Sequence, residues 1–410
     1  MATTTHPNHT HSHSAIVTLL QSVFAIPDPP LTVEPLKVTA SFHDIYIVTY
    51  HRHTLANVLS CRQLLSNEHD HRNIGDNTDH VQLVLRIAGD HVPHIKTENE
   101  AAVLTWLNKN TTIPVPDLVA FDSTSNNELN REYLIMSRCP GVPLSDVYNS
   151  LDAIQLDGVL LQLMDMLAEL HRHPFSHIGG FSLSAERDVV PAPMLDENFW
   201  FTADIAKYFE SESFDTLNYH GPFNSYADYV CAAINSYLYV ASLHIGLKSQ
   251  LHTFYPRISA FLHLLSVSEY ASTCNKTVIR LAHKDLHFAN ILYRQDTGQI
   301  SAIIDWEFAG TIPFPQWDPV RAFLWNAQPG TQSIQEKYRL RDRFTELCKE
   351  KWPAGGFLAD AEFTSVLQEG MHLVRNSLRG ISTNVPRNSH PEAVQKWWGD
   401  LEKGLTIFGV

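Results

Sequence analysis

At 410 residues the chain is long for one small core and has room for two lobes. With 44% hydrophobic and 18% charged residues it is not a disordered polymer, and it shows no run of 18 apolar residues from which to build a spanning helix. Acidic residues number 44 against 30 basic ones, a formal charge of −14, which excludes a general nucleic-acid binder with its basic stripe.

The chain starts "MATTTHPNHTHSHS", with no Lys or Arg before its first apolar run, unlike a signal peptide. Residues 1–14 read as a disordered His-rich tail. His6, His9, His11 and His13 have metal-binding composition, but a solvated tail is the simpler reading. Helical spacing in "AIVTLLQSVF" (15–24) predicts a first helix. "LKVTASFHDIYIVTYHR" (36–52) alternates as two strands joined by a tight bend, and the polar stretch 60–80 reads as a surface insertion. "VQLVLRIAG" (81–89) is a strand ended by glycine. "TENEAAVLTWLNKN" (97–110) is a helix with a cap at Thr97. "IPVPDLVAFDS" and "REYLIMSRCPGVPL" supply two more strands, the second stopped at Pro140-Gly141.

Beyond this point the pattern becomes helical. "LDGVLLQLMDMLAELHRH" (156–173) places apolar residues at 160, 163, 164, 167 and 170, the stripe of a buried helix. Residues 195–265 are rich in Phe, Tyr and Trp, and the end of the chain is again helical in pattern. The expected class is α+β. A small antiparallel-sheet lobe spans residues 15–138, and a larger, mainly helical lobe spans 139–410. Five scattered cysteines (Cys61, Cys139, Cys231, Cys274, Cys348) form no CxxC pair and point to reduced thiols in a cytoplasmic setting.

One stretch of the second lobe breaks the helical pattern: "HKDLHFANILYRQDTGQISAIIDWEFAG" (283–310). "NILYR" and "QISAIID" are short strand-like runs, and Gly298 suits the positive φ of a hairpin turn. Folding there sets Asn290 opposite Asp305, give or take a residue, with Asp285 at the same open end. An amide oxygen and a carboxylate are ligands a hard cation such as Mg²⁺ accepts. A further aspartate to orient and deprotonate an attacking hydroxyl completes the needs of phosphoryl transfer. His283 then reads as structural, tying the loop to the core.

At these residues the sequence resembles the aminoglycoside phosphotransferase and choline kinase-like small-molecule kinases, which share the bilobal protein-kinase-like fold. "HKDLHFANIL" is similar to the family's HGDLHxxNIL, and "IIDWEFAG" to its metal-binding strand. The likeness runs from about residue 36 to 325, and "YLIMSRCPGVPLSDV" and "GPFNSYADYV" resemble segments common in fungal members. The resemblance implies Asp285 as catalytic base and Asn290 and Asp305 as Mg²⁺ ligands. It implies ATP bound at a hinge of Met136, Ser137 and Cys139, with Arg86 on the phosphates and Glu100 as its partner; Glu98 is the neighbouring alternative to Glu100. Ser41 and Phe42 fall where the phosphate-covering loop belongs, although that loop has no glycine here. Lys284 replaces the usual glycine and would add a cation near the transferred group.

The sequence contains no A-P-E after Asp305, so the expected acceptor is a hydroxyl on a small molecule, with no nucleic-acid or membrane partner. By the same resemblance, the helical insertion of about 183–282 shapes the acceptor pocket, and Asp196 and Glu197 could pair with an amine there. Asp318 is expected to stop a loop and cap the next helix. Two alternatives stay open: a kinase-like binding protein that does not turn over, and an enzyme coupling phosphorylation to elimination or cyclisation.

Overall fold

A computed structural model describes residues 11–36, 43–61, 65, 79–317 and 331–410. Helix α1 (His13–Phe24) opens where the Ser12 side chain accepts from the amide of Ala15, and ends where Ala25 turns left-handed at φ +53°. Its Ile16, Leu19, Leu20 and Phe24 pack on one face of a five-stranded antiparallel sheet. The strands are β1 (Thr32–Pro35), β2 (His43–His51), β3 (His80–Ala88), β4 (Leu118–Asp122) and β5 (Tyr133–Ser137), in the order β1-β2-β3-β5-β4.

Strand β1 lies N-terminal to the expected one. It pairs Thr32 with Thr49 and Pro35 with Tyr46. A proline there is tolerated because β1 is an edge strand and need not donate outward. The bend predicted after residue 36, with Ser41 and Phe42, lies outside the described residues, as does nearly all of the stretch predicted to be an insertion.

In β3 the alternation has consequences for the site. Leu83, Leu85 and Ile87 face the core under α1, so Val84 and Arg86 face the other way. Leu134 and Met136 of β5 stand opposite Arg86 and Val84 on that second face.

Helix α2 (Ile95–Asn110) starts two residues before Thr97, which is buried in its first turn and is not the cap. The Glu132 carboxylate accepts from the His94 amide at 2.7 Å instead, a cap supplied from across the sheet. Helix α3 (Ala153–His171) has a capping box between Asp152 and Gln155, and every residue of the predicted apolar stripe is buried. The aromatic-rich region carries α4 (Thr202–Tyr208), α5 (Tyr226–Leu243), α6 (Ile245–Leu251), α7 (Tyr255–Ser266) and α8 (Ser268–Cys274). Phe199, Trp200, Phe209, Tyr226 and Tyr229 are core residues there. The chain ends in α9 (Thr331–Lys351), α10 (Val366–Arg387) and α11 (Pro391–Ile407).

Short strands support the loop between these helical parts. In chain order they are β6 (Val142–Pro143), β7 (Gly180–Leu183), β8 (Val189–Ala192), β9 (Ile279–Ala282), β10 (Ile291–Arg294), β11 (Gln299–Ile303) and β12 (Gly310–Pro313). Strands β10 and β11 form the predicted hairpin, with Gly298 at φ +70° in its turn. Among the described residues no single helix is long and apolar enough to cross a membrane; α5 and α6 pass only jointly, and they meet at 117°.

Candidate functional site

The loop between β9 and β10 is held by its own polar groups. The Asp285 amide donates to Nδ1 of His283 at 3.3 Å, which leaves the ring proton on Nε2, lying 2.9 Å from the Ile304 carbonyl. Burial lowers the pKa of this histidine and keeps it neutral, and its ring packs 4.5 Å from that of Trp306. Asn290 donates through Nδ2 to the Asp285 carbonyl at 2.9 Å, and the Ile304 amide donates to the Asn290 carbonyl at 2.9 Å. Asn290 therefore faces Ile304, one residue from the expected Asp305. A register shift between Leu292 and Tyr293 accompanies this offset. The half-buried Asp285 carboxylate has His287 Nε2 at 3.6 Å.

Asp305 itself sits at φ +68°, a conformation L residues rarely adopt outside special sites. Its Oδ1 accepts from Arg86 Nη2 at 2.7 Å, and Arg86 Nη1 donates to Glu100 Oε1. Arg86 is thus a buried residue and not a strand-edge surface cation. It joins β3, α2 and the hairpin at one point. Burial would lower the pKa of its guanidinium, but Glu100, Asp305 and Glu307 outweigh that and raise it. Burial raises Glu100 and Arg86 opposes the shift; Asp305 ends below its usual value because Arg86 more than offsets burial. Glu98 is only half-buried, and Glu100 is the residue bonded to Arg86.

Three residues of this cluster were not singled out from sequence: His43, Lys96 and Glu307. Glu307 Oε2 has Lys96 Nζ at 3.3 Å and His43 Nε2 at 3.4 Å, and His43 Nδ1 lies 3.1 Å from Arg86 Nη2. Burial pushes Glu307 up to about 7. The sequence held one signal: Lys96 stands four residues before Glu100, on the same face of a helix.

Of the three hinge residues, Met136 shares the Arg86 face of the sheet. Ser137 turns the other way, its Oγ accepting from the Asp117 amide at 2.8 Å. Cys139 is buried, and burial pushes its thiol up to about 12.

Lys284 is not aimed at Asp305. At φ +68° it holds the left-handed conformation that favours glycine, and its Nζ donates to the carbonyl of Leu195. It therefore ties the loop to the segment before α4. Asp196 is not free for a substrate amine: Arg375 Nη2 lies 3.3 Å and Tyr219 Oη 3.2 Å from its Oδ2. Against the push of burial, Arg379, Arg375 and Lys284 hold its carboxyl well below the usual range. Asp318 lies outside the described residues.

A magnesium ion fits this donor set. Asn290 spends its amide N–H on the Asp285 carbonyl, leaving its carboxamide oxygen to accept, and the Ile304 amide bonded to the Asn290 carbonyl makes Asp305 the next residue along the facing strand end. Two hard oxygen donors and only one negative charge suit Mg²⁺ shared with phosphate and water.

The sequence profile of the phosphotransferase enzyme family matches residues 62–212 and 273–344, more than half of the chain. Both matched segments carry cluster residues, and the stretch between them holds α5, α6 and α7. The subtelomeric hrmA-associated cluster protein of Aspergillus fumigatus, from two strains, is 23% identical over 266 residues. That alignment covers 54% of this chain and 51% of the relative, so the chain spans about half the length of the curated relatives it matches. Among solved structures, a streptomycin–ATP–APH(2″)-IIa ternary complex is 12% identical with a TM-score of 0.49, covering 96% of this chain and 97% of that one. A thermostable aminoglycoside phosphotransferase APH(4)-Ia with AMP-PNP and hygromycin B is 13% identical at TM-score 0.47, covering 96% and 98%. Both structural likenesses are distant; the family match is the finding with weight.

Proposed function

The chain belongs to the phosphotransferase enzyme family, and from that premise we propose that it moves the γ-phosphoryl group of ATP to a hydroxyl of a small-molecule metabolite in the cytoplasm. The observation that supports this most directly is the junction at Arg86, whose two ends meet Glu100 and Asp305. It joins a strand, a helix and the catalytic hairpin around one cation, where nucleotide phosphates need positive charge. The lack of A-P-E after Asp305 supports a small acceptor over a protein.

In this reading Asn290 and Asp305 hold Mg²⁺, which when bound neutralises charge between the β- and γ-phosphates. Arg86 binds the α- and β-phosphates and Glu100 keeps it in place. Arg86 and Asp305 are paired with each other, and each would have to release the other for Arg86 to hold phosphate and Asp305 a metal ion. Asp285 accepts the proton of the acceptor hydroxyl. Its carbonyl is braced by Asn290 and its amide by His283, so it points without further ordering.

Calorimetric titration of ATP, with and without Mg²⁺, tests the reading. Magnesium-dependent binding should appear in the wild type and vanish in Asp305→Ala. Asp285→Asn should bind MgATP about as well as wild type, yet lose at least ~10²-fold in transfer once an acceptor is found by screening for phosphate gain. No MgATP binding by the wild type would overturn the proposal, as would full turnover by Asp285→Asn.

A further inference from the structure

Strands β2 and β3 leave the phosphate cluster together and end far from it. His43 pairs with Ala88 beside the cluster, and His51 pairs with His80 at the other end. The separation is roughly 26 Å at strand rise. At that far end the chain gathers imidazoles. The rings of His51 and His53 stack at 5.1 Å between centroids, and the ring of His80 lies 5.0 Å from that of His51. Asp79 completes the group, with Oδ2 3.5 Å from His51 Nδ1. That Nδ1 is shut off from solvent and has no hydrogen-bond partner. One ligand atom each from His51, His53 and Asp79 lies within 4.8 Å of the others.

We propose that His51, His53 and Asp79 form a binding site for a borderline transition-metal ion, Zn²⁺ in the first instance. Two imidazole nitrogens and one carboxylate oxygen are a zinc-type donor set and a poor one for Mg²⁺, which takes oxygen ligands. Zinc bonds of about 2.0–2.2 Å place tetrahedral ligand atoms ~3.3 Å apart. The exposed His53 and Asp79 side chains would have to rotate to close the remaining gap, the His53 ring turning out of its stack on His51. The orphaned His51 Nδ1 gains a partner, and a fourth position stays open to water.

The placement also gives the ion a role. His51 ends β2, His53 follows in the next turn of chain, and Asp79 leads into β3. One ion would clamp both ends of the excursion between these strands. The Arg52 amide already joins those ends by donating to the Asp79 carbonyl at 2.8 Å. The site is structural and distinct from the phosphoryl-transfer metal.

The test titrates Zn²⁺ into metal-free full-length protein, without nucleotide and in excess Mg²⁺ to fill oxygen sites. Stoichiometric binding with a Kd on the order of micromolar or below is expected, together with a rise in Tm. Co²⁺ in place of Zn²⁺ should give a visible spectrum of imidazole ligation. His53→Ala and Asp79→Ala should each weaken Zn²⁺ at least ~10-fold, with metal-free far-UV circular dichroism and Tm equal to wild type. Because the tail histidines compete, the triple variant His6→Ala, His9→Ala, His11→Ala should keep the site. No stoichiometric Zn²⁺ binding would overturn the proposal. So would binding that survives both His53→Ala and Asp79→Ala, or that disappears with the tail substitutions.

Discussion

Lys284 combines two costs in one residue. Its backbone is left-handed at φ +68°, worth about 1 kcal/mol or more against an L side chain, and burial lowers its ammonium to about 8 although Asp196 and Glu197 oppose the shift. A lysine with a depressed folded pKa binds fewer protons folded than unfolded between pH ~8 and its ordinary value near 10.5. Wild-type stability from this group therefore rises with pH across that window. Lys284→Gly removes both costs and gives up the bond to the Leu195 carbonyl and the weaker attraction to Asp196 and Glu197. The variant should be more stable than wild type by about 1–3 kcal/mol at pH 7, and the gap should narrow by roughly 2–3 kcal/mol by pH 10.5. Denaturant melts of both proteins at pH 7, 9 and 10.5 measure this. A gap that does not change with pH would mean the amine is not desolvated.

Among the elements, the α10–α11 hairpin depends on glycine at its closest approach. A Cβ on Gly404 would stand 2.8 Å from Val374 Cγ2 and 3.0 Å from the Gly370 carbonyl oxygen, and backbone cannot yield as a flexible side chain can. Gly399, in the same helix, has nothing within 4 Å of such a Cβ. Gly404→Ala should cost about 1–3 kcal/mol, whereas Gly399→Ala should gain up to ~1 kcal/mol from helix propensity alone. Two thermal melts decide it, and equal shifts would mean that propensity and not packing governs both sites. Elements whose cause was local were readable in sequence: the buried stripe of α3 and the Gly298 turn both appear as expected. The start of α2 was not readable, because its cap is a carboxylate 38 residues away in sequence. Nor was β1, where a proline-bearing edge segment is made a strand by its partner β2.

Across the whole molecule, Asn99 couples α2 to β7 and to the segment that follows the β10–β11 hairpin. This residue on α2 is fully buried. Its Nδ2 donates to the carbonyls of Glu307 at 3.0 Å and Ala309 at 2.8 Å, and its Oδ1 accepts from the Phe181 amide at 2.8 Å. No sequence pattern announces such a residue, because its bonds join segments distant in the chain, and of the His43–Lys96–Glu307 group only the spacing of Lys96 and Glu100 was a signal. Asp285, Asn290 and Asp305 were legible because one hairpin carries all three. Glu100 is the next residue on α2, so the position of Arg86 depends on the position of Asn99. Asn99→Ala leaves three buried backbone groups without partners and should cost about 2–4 kcal/mol. If the bonds also set α2 against the hairpin, MgATP affinity should fall about tenfold at temperatures where the variant is fully folded. Leu163→Ala in α3 is the control. It deletes a fully buried side chain in the helical core, at a similar cost of about 2–5 kcal/mol, on a helix other than α2. Its MgATP affinity should match wild type. Equal affinities in Asn99→Ala and Leu163→Ala would make Asn99 a stability residue alone, with the proposed phosphate site organised by Arg86 and its carboxylates.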